Sequence, residues 1–143
     1  MTSPPDSAFE WRLSVTPTDI DGLGHVNNLR YLAWMIDAAV AHSAHLGWSS
    51  KRYREEGRVW VVRSHRIEYR RPALLGDDVV VETWIDSMER ISSLRRYRIL
   101  RATDLALLAD AETNWVYFDL AASRPVRIPE EMRLAFGQRA EEE

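Results

Sequence analysis

Apolar and polar residues along the chain follow two different periods, and the change between them divides the chain into predicted elements. Phe9–Val15 alternates apolar and polar side chains, which predicts a strand with one buried face. Leu29–Leu46 carries its apolar residues at helical spacing and predicts a helix of about five turns. Asn27 or Asn28 suits the N-cap of this helix, and Gly47 stands where a glycine commonly ends one.

Alternation with a period of two returns in the second half of the chain and predicts a run of consecutive strands. A polar connection, Trp48–Gly57, leads into this run, and Pro129 opens a predicted short helix after it. Residues 1–8 and 138–143 are expected to be disordered tails. The predicted strands are Val59–Tyr69, Val79–Asp86, Ile91–Arg101 and Leu107–Phe118.

The order of one strand, one long helix and four strands is typical of an α+β fold, in which an antiparallel sheet packs on a helix. At 143 residues, the chain is predicted to form a single domain, 1–143. Because one helix covers only part of such a sheet, we expect an edge strand or the other face to meet another subunit.

Composition argues against several classes of protein. The chain has no cysteine, which excludes disulfides, Cys–Zn sites and cysteine nucleophiles. Its net charge of -3 argues against nucleic acid as a partner. The N-terminal sequence MTSPPDS does not resemble a signal peptide, and no segment has membrane-spanning length. We therefore expect a cytoplasmic protein with no membrane partner.

Polar side chains crowd the loop between the first strand and the helix. Within ten residues the chain places Asp19, Asp21, His25, Asn27 and Asn28. Polar groups beside a buried helix are costly to desolvate, so this cluster predicts a functional site.

Several kinds of site match parts of this loop. Asp19 and Asp21 suit the caps of turns and of the helix, where carboxylates accept backbone N–H groups. A calcium loop opens in the same way, but Arg30 stands where the bidentate glutamate would be. A divalent metal on Asp19, Asp21 and His25 lacks a further ligand at helical spacing, so no metal is expected. No G-x-S-x-G motif indicates a serine hydrolase.

A carboxylate near a helix N-terminus fits acid–base or nucleophilic chemistry. The first turn of a helix offers unpaired N–H groups and a partial positive charge, which stabilise a carbonyl oxygen as it becomes an oxyanion. A neighbouring carboxylate can attack the carbonyl carbon or activate a water molecule. The loop therefore predicts an acyl-transfer site that requires no cofactor.

The motif D-x-D-x-x-G-H-V-N-N-x-x-Y-x-x-W, which spans Asp19–Trp34, resembles the hotdog-fold acyl thioesterases. The closest groups are the 4-hydroxybenzoyl-CoA thioesterase-like enzymes and the acyl-carrier-protein thioesterases. Ile67–Trp84 resembles the second and third strands of that family, and Trp115–Met132 resembles its last strand and closing segment. The resemblance implies a curved antiparallel sheet of about five strands around one long central helix, and a homodimer or homotetramer.

The same resemblance implies roles for residues of the loop. Asp21 matches the aspartate that acts as nucleophile or general base, and the backbone N–H of Asn28 matches the group that polarises the thioester carbonyl. His25 and Asn27 match the H-V-N-N of the carrier-protein enzymes, but Leu23 replaces the asparagine of their Asp/Asn/His arrangement. His25 is therefore either catalytic, or a residue that positions substrate, or one that holds the loop. Asn27 is expected to bind substrate.

Further substrate-binding residues are implied outside the loop. Arg90 and Ser92 stand at the turn where the family holds the phosphates of CoA, and arginine suits phosphate. Arg63 lies on the strand that runs past the family's site, and His65 follows on the same strand. Tyr31 fits either the wall of an acyl tunnel or ordinary core packing.

The sequence therefore predicts an enzyme, a thioesterase that hydrolyses an acyl-CoA or acyl-carrier-protein thioester to a free acid and a thiol in fatty acid or polyketide metabolism. A hotdog dehydratase acting on a 3-hydroxyacyl thioester is a second hypothesis, although the GHVNN segment does not resemble the dehydratase signature. A protein that binds an acyl thioester without turnover is a third.

Overall fold

The computed structural model describes residues 3–139 and contains the predicted strands and long helix. Within the described residues, no helix is both long enough and apolar enough to cross a membrane. A short 3-10 helix, Pro17–Asp19, follows the first strand. The strands and α-helices, in chain order, are β1 Phe9–Ser14, α1 Asn28–His45, α2 Ser50–Glu56, β2 Arg58–Tyr69, β3 Asp78–Met88, β4 Ser92–Arg101, β5 Leu107–Asp119, β6 Arg124–Pro125 and α3 Glu130–Ala135.

The strands form one sheet in the order β1-β3-β4-β5-β2, and β6 pairs with β5. β1 runs antiparallel to β3, with Phe9 opposite Thr83 and Ser14 opposite Asp78. β1 and β2 are therefore the edges of the sheet. The two-residue β6 was not predicted, because so short a pairing leaves no periodic pattern in the sequence.

The long helix α1 begins and ends at the expected residues. The side-chain Oδ1 of Asn27 accepts the N–H of Leu29 at 2.9 Å, which identifies Asn27 as the N-cap. At the other end, Gly47 has a φ of 95°, and the Trp48 N–H donates to the carbonyl of Ser43 at 2.9 Å. This is a Schellman ending, which requires the left-handed conformation that glycine adopts without strain.

The prediction of Trp48–Gly57 as a polar connection was wrong, because most of it forms α2. The Oγ of Ser49 caps this helix by accepting the Arg52 N–H at 3.1 Å. The Arg52 guanidinium lies 3.5 Å from the ring centroid of Trp48, and its Nε lies 2.9 Å from a carboxylate oxygen of Glu56. Caps and side-chain pairs, rather than an apolar stripe, stabilise so short a helix, and a periodicity argument does not detect them.

The chain forms two compact units. The first contains the chain up to Ala39, Ile67–Trp84 and Tyr97–Ala111; the second contains Val40–Arg66, Ile85–Arg96 and the chain from Glu112 onward. The buried core of the first unit includes Val15, Val26, Trp34, Met35 and Val81. That of the second unit includes Trp48, Tyr117, Ile128, Met132 and Phe136. A single domain spanning 1–143 stays a prediction.

Parts of both predicted tails lie within the described residues. Before β1, the Ala8 N–H donates to the carbonyl of Pro5 at 3.0 Å and closes a turn. After α3, the Gln138 N–H donates to the carbonyl of Arg133 at 2.9 Å. Residues 1–2 and 140–143 of the predicted tails lie outside the described residues.

Candidate active site

The Asp21 carboxylate closes the loop that leads into α1. Its Oδ1 accepts two backbone N–H groups, from Leu23 at 2.8 Å and from His25 at 3.2 Å. The Asp21 N–H in turn donates to the carbonyl of His25 at 2.8 Å. Among the described residues, no hydrogen bond is made to the second oxygen, Oδ2. One oxygen therefore holds the loop while the other is available to a bound molecule.

Asp19 is buried and fully engaged, in contrast to Asp21. Its Oδ2 accepts the N–H of Thr16 at 2.9 Å and the Thr16 hydroxyl at 3.2 Å, and its Oδ1 lies 2.7 Å from the Nε of Arg30. Burial acts to raise the pKa of Asp19, but these hydrogen bonds outweigh it and hold the pKa below its ordinary value. Asp19 therefore caps the chain between β1 and α1.

A metal site at the loop has no support in the geometry. Residues 3–139 contain no group of three or more His, Asp or Glu side chains that could hold a metal ion. Both oxygens of Asp19 are already engaged by Thr16 and Arg30, as described above.

The start of α1 is tied to the end of β2 and to the segment that follows it. The Tyr69 hydroxyl donates to the carbonyl of Asn28 at 3.2 Å. The Val26 N–H donates to the carbonyl of Ala73 at 3.1 Å. Tyr69 lies in the segment Ile67–Trp84 that resembles the family, but no sequence pattern indicates that it contacts Asn28, 41 residues away.

Tyr31 belongs to the core of the first unit. Only 2% of its surface is exposed, and its hydroxyl accepts the Ala73 N–H at 2.9 Å. Its ring lies edge-on to that of Tyr69, with centroids 5.2 Å apart. Burial raises the pKa of Tyr31. These contacts favour the core-packing alternative for Tyr31, and a substrate-binding role stays a prediction.

Asn28, His25 and Asn27 lie at the surface around the loop. Asn28 is the first residue of α1, so its N–H has no intrahelical acceptor. The amide side chain of Asn27 caps the helix, as described above. The structure thus brings Asp21, His25, Asn27 and Asn28 together in one short segment of the first unit.

The other predicted substrate-binding residues belong to the second unit. Arg63 is exposed on β2. Arg90 and Ser92 lie at the turn between β3 and β4, where the Glu89 N–H donates to the Ser92 carbonyl at 2.8 Å. The Ile128 N–H donates to the carbonyl of Arg90 at 2.9 Å.

A buried arginine, Arg133 on α3, holds this turn and was missed by sequence reasoning. Its guanidinium donates to the carbonyls of Met88 at 3.2 Å and Glu89 at 2.6 Å, immediately before Arg90. Only 3% of Arg133 is exposed. The contact joins residues 44 apart, and no local pattern distinguishes this arginine from a solvated one.

The loop therefore presents a carboxylate and a helix start within one segment, which is the arrangement that acyl transfer needs. The thioesterase-like superfamily matches residues 15–136 of the chain. The chain belongs to this superfamily. The acyl-CoA thioester hydrolase YbgC of Escherichia coli O6:H1 is 31% identical to it over 130 residues, which cover 91% of this chain and 96% of that protein.

Two solved structures share the fold. Slr0204, a 1,4-dihydroxy-2-naphthoyl-CoA thioesterase from Synechocystis, matches with a TM-score of 0.85 at 23% identity, covering 92% of this chain and 96% of that one. SAV2348 from Staphylococcus aureus, whose structure is a complex with CoA, matches with a TM-score of 0.87 at 16% identity, covering 99% and 92%.

These comparisons confirm the predicted α+β hotdog fold and the predicted enzyme class, a thioester hydrolase. The roles of the individual residues of the loop stay predictions.

Proposed function

We propose that this thioesterase hydrolyses the thioester of an acyl-CoA, with Asp21 as the catalytic carboxylate and the Asn28 N–H as the oxyanion donor. One observation carries this assignment: Asp21 has an oxygen with no hydrogen bond among the described residues, on a loop that runs directly into the first residue of α1. Asp19, the other aspartate of the motif, has both oxygens engaged.

The reaction follows from these two groups. With Asp21 as general base, its carboxylate takes a proton from water while the water oxygen attacks the thioester carbonyl carbon. The carbonyl oxygen gains negative charge and is stabilised by the Asn28 N–H and the helix dipole. The intermediate then collapses, the carbon–sulfur bond breaks, and the proton held by Asp21 passes to the leaving thiolate. The products are a carboxylic acid and CoA.

Asp21 can alternatively attack the carbonyl carbon itself. The carbon–sulfur bond then breaks to leave a mixed anhydride on Asp21, which water hydrolyses. Single turnover in ¹⁸O-labelled water identifies the anhydride route if ¹⁸O enters the Asp21 side chain, because only attack of water on the aspartyl carbon of the anhydride places it there. Mass spectrometry of the peptide that contains Asp21 measures this label.

The turn that carries Arg90 and Ser92 is proposed to hold the phosphates of CoA. Arg133 fixes the backbone of the turn by binding the two carbonyls that precede Arg90. A rigid turn that carries an arginine suits a phosphate, because less conformational freedom is lost on binding. Acyl-CoA hydrolysis is the activity that the name of the YbgC relative states for that protein.

A homodimer through the β2 edge is proposed as the functional state. β2 ends the sheet, and the consecutive residues Val61 and Val62 are 37% and 40% exposed. Successive residues of a strand point to opposite faces of the sheet, so both faces of β2 are exposed to solvent at this point. Light scattering after size exclusion is expected to give twice the monomer mass of 16.6 kDa. The Val62→Lys variant should shift the protein to monomer, and a monomeric wild type would contradict the assignment.

A substrate panel tests the activity directly. The protein is incubated with acyl-CoAs of several chain lengths, aromatic acyl-CoAs and acyl-carrier-protein substrates, and thiol release is followed with a chromogenic disulfide. Release of CoA with a matching amount of free acid supports the proposal. Thiol release from carrier-protein substrates alone would show that the enzyme acts on acyl-carrier-protein thioesters and not on acyl-CoA. Hydration or dehydration without thiol, or tight binding without turnover, would replace the thioesterase with one of the two other hypotheses.

A further inference from the structure

The peptide unit that joins Asn28 to Leu29 is held from both sides at the start of α1. Its carbonyl, that of Asn28, accepts the Tyr69 hydroxyl at 3.2 Å. Its N–H, that of Leu29, donates to the Oδ1 of Asn27 at 2.9 Å. Peptide units in the first turn of a helix lack intrahelical acceptors for their N–H groups, and they fray unless other groups hold them. The Asn27 side chain therefore supplies an acceptor that the helix lacks, and the Tyr69 hydroxyl adds a further hydrogen bond to the carbonyl of the same peptide.

The neighbouring peptide units are constrained as well. The Asn27 carbonyl accepts the Arg30 N–H at 2.9 Å, and the Asn27 N–H donates to the carbonyl of Asp19 at 2.8 Å. The N–H of Asn28 belongs to the same peptide unit as the Asn27 carbonyl, and Asn28 joins this unit to the one that Tyr69 holds, so the direction of the N–H depends on both units. A hydrogen bond to this N–H was assigned above to the carbonyl oxygen of the substrate.

Tyr69 is 44% exposed, and its ring is packed on one side against a buried neighbour. Its ring packs edge-on against Tyr31 at an interplanar angle of 83°, and the Tyr31 hydroxyl is bound by the Ala73 N–H. The ordinary pKa of tyrosine, 10, already keeps this hydroxyl protonated at neutral pH, and burial raises the pKa of Tyr69 further, so it remains a donor.

We propose that Tyr69 is a positioning residue of the hydrolysis: with the Asn27 side chain it fixes the Asn28–Leu29 peptide and thereby aims the Asn28 N–H at the thioester carbonyl. This inference rests on the proposed function. Hydrogen-bond donors stabilise an oxyanion only when they are already oriented toward it. A small misplacement of the donor therefore lowers kcat and leaves substrate binding little changed.

The Tyr69→Phe variant tests the inference because it deletes only the hydroxyl and keeps the ring that packs on Tyr31. Its kcat for the best acyl-CoA of the panel should fall about tenfold, while its KM stays within about twofold of the wild-type value. The matched control is Tyr53→Phe, which deletes a hydroxyl bonded to Ser43 at 2.7 Å and to Trp60 at 3.2 Å in the second unit. This control should lower the melting temperature and leave kcat unchanged.

A second pair of variants tests the hydrogen bond that the Asn27 side chain accepts from the N–H of this peptide. Asn27→Ala removes the oxygen that accepts the Leu29 N–H, whereas Asn27→Asp keeps an oxygen there. We expect kcat to be lower in Asn27→Ala than in Asn27→Asp. Equal kcat values in this pair, or an unchanged kcat in Tyr69→Phe, would overturn the positioning role. A rise in KM alone would make Tyr69 a substrate contact instead and would likewise overturn it.

Amide hydrogen exchange measured by NMR keeps the test independent of turnover. Loss of the Tyr69 hydroxyl should speed exchange of the Leu29 amide about fivefold, with no change in amides of the second unit. An unchanged Leu29 rate contradicts the inference even if the protein is a thioesterase. Faster exchange in a protein that releases no thiol from any substrate would refute the proposed function, while confirming that Tyr69 holds this peptide.

Discussion

The Oδ1 of Asp19 lies 2.7 Å from the Nε of Arg30, and this contact separates the two aspartates of the loop motif. Asp19 has its second oxygen bound by Thr16 as well, so neither oxygen can take up a proton or attack a carbonyl without breaking the fold locally. Asp21, two residues later, binds the loop through one oxygen only. The catalytic role is therefore proposed for Asp21, and the contacts of Asp19 make it a structural residue of the loop.

Replacing Asp19 should cost stability. Asp19→Ala leaves the Thr16 N–H and the Arg30 guanidinium without their acceptor, and we expect the free energy of unfolding to fall by about 1–3 kcal/mol. Urea unfolding of the wild type and the variant measures the difference. Equal stabilities would show that the bonds to Asp19 contribute nothing net.

The Asp19 contribution should depend on pH in a defined direction. Because the folded-state pKa lies below the ordinary value of 3.8, the stabilisation is complete above that pH and is lost as the pH falls through the folded-state pKa. The stability difference between wild type and Asp19→Asn should therefore be constant at neutral pH and shrink in strong acid. A difference that grew on acidification would contradict the assigned shift.

His42 predicts a second pH dependence, at milder acidity. Its Nδ1 accepts a guanidinium N–H of Arg95 at 2.9 Å, and burial, followed by Arg95 and His45, lowers its pKa from 6.5 to about 4. Between these pH values the unfolded chain binds a proton that the folded protein does not, so stability falls as the pH is lowered through this window.

The His42→Gln variant isolates this effect, because glutamine keeps an oxygen that can accept from Arg95 and does not titrate. Urea unfolding at pH 7.5 and pH 5 should show a smaller loss of stability in the variant than in the wild type. Equal losses in the two proteins would mean that His42 titrates normally in the folded state.

The periodic elements were predictable from sequence, and the contacts between distant residues were not. Alternation and helical spacing fixed β1 and α1 nearly to the residue. By contrast, Asp19 and Asp21 look alike in the motif, and only the folded positions of Thr16 and Arg30 distinguish them. No local pattern indicates which distant residues such side chains will meet.

Long-range hydrogen bonds show the same limit. Tyr69 reaches Asn28 across 41 residues, and Arg133 reaches Glu89 across 44. A tyrosine in a strand and an arginine in a short helix are ordinary residues until the fold brings them to a functional segment. These contacts were therefore visible only in the structure.

Arg90→Ala tests the proposed phosphate contact. We expect KM for an acyl-CoA to rise about tenfold with kcat little changed, because a charge-assisted bond to phosphate is lost. KM for the acyl N-acetylcysteamine thioester, which has no phosphate, should not change. Arg54→Ala removes an exposed arginine of α2 and serves as the control for net charge. An equal rise in KM for both thioesters would show that Arg90 does not bind the phosphates of CoA.

Asp21→Asn is the most direct test of the account, because asparagine keeps an oxygen for the Leu23 and His25 N–H groups and removes only the catalytic charge. Asp37→Asn, at an exposed residue of α1, makes the same change of charge as a control. We expect Asp21→Asn to lose at least about 10²-fold in kcat for thiol release at an unchanged melting temperature, while Asp37→Asn keeps wild-type activity. Full thiol release by Asp21→Asn would contradict the catalytic role proposed for Asp21.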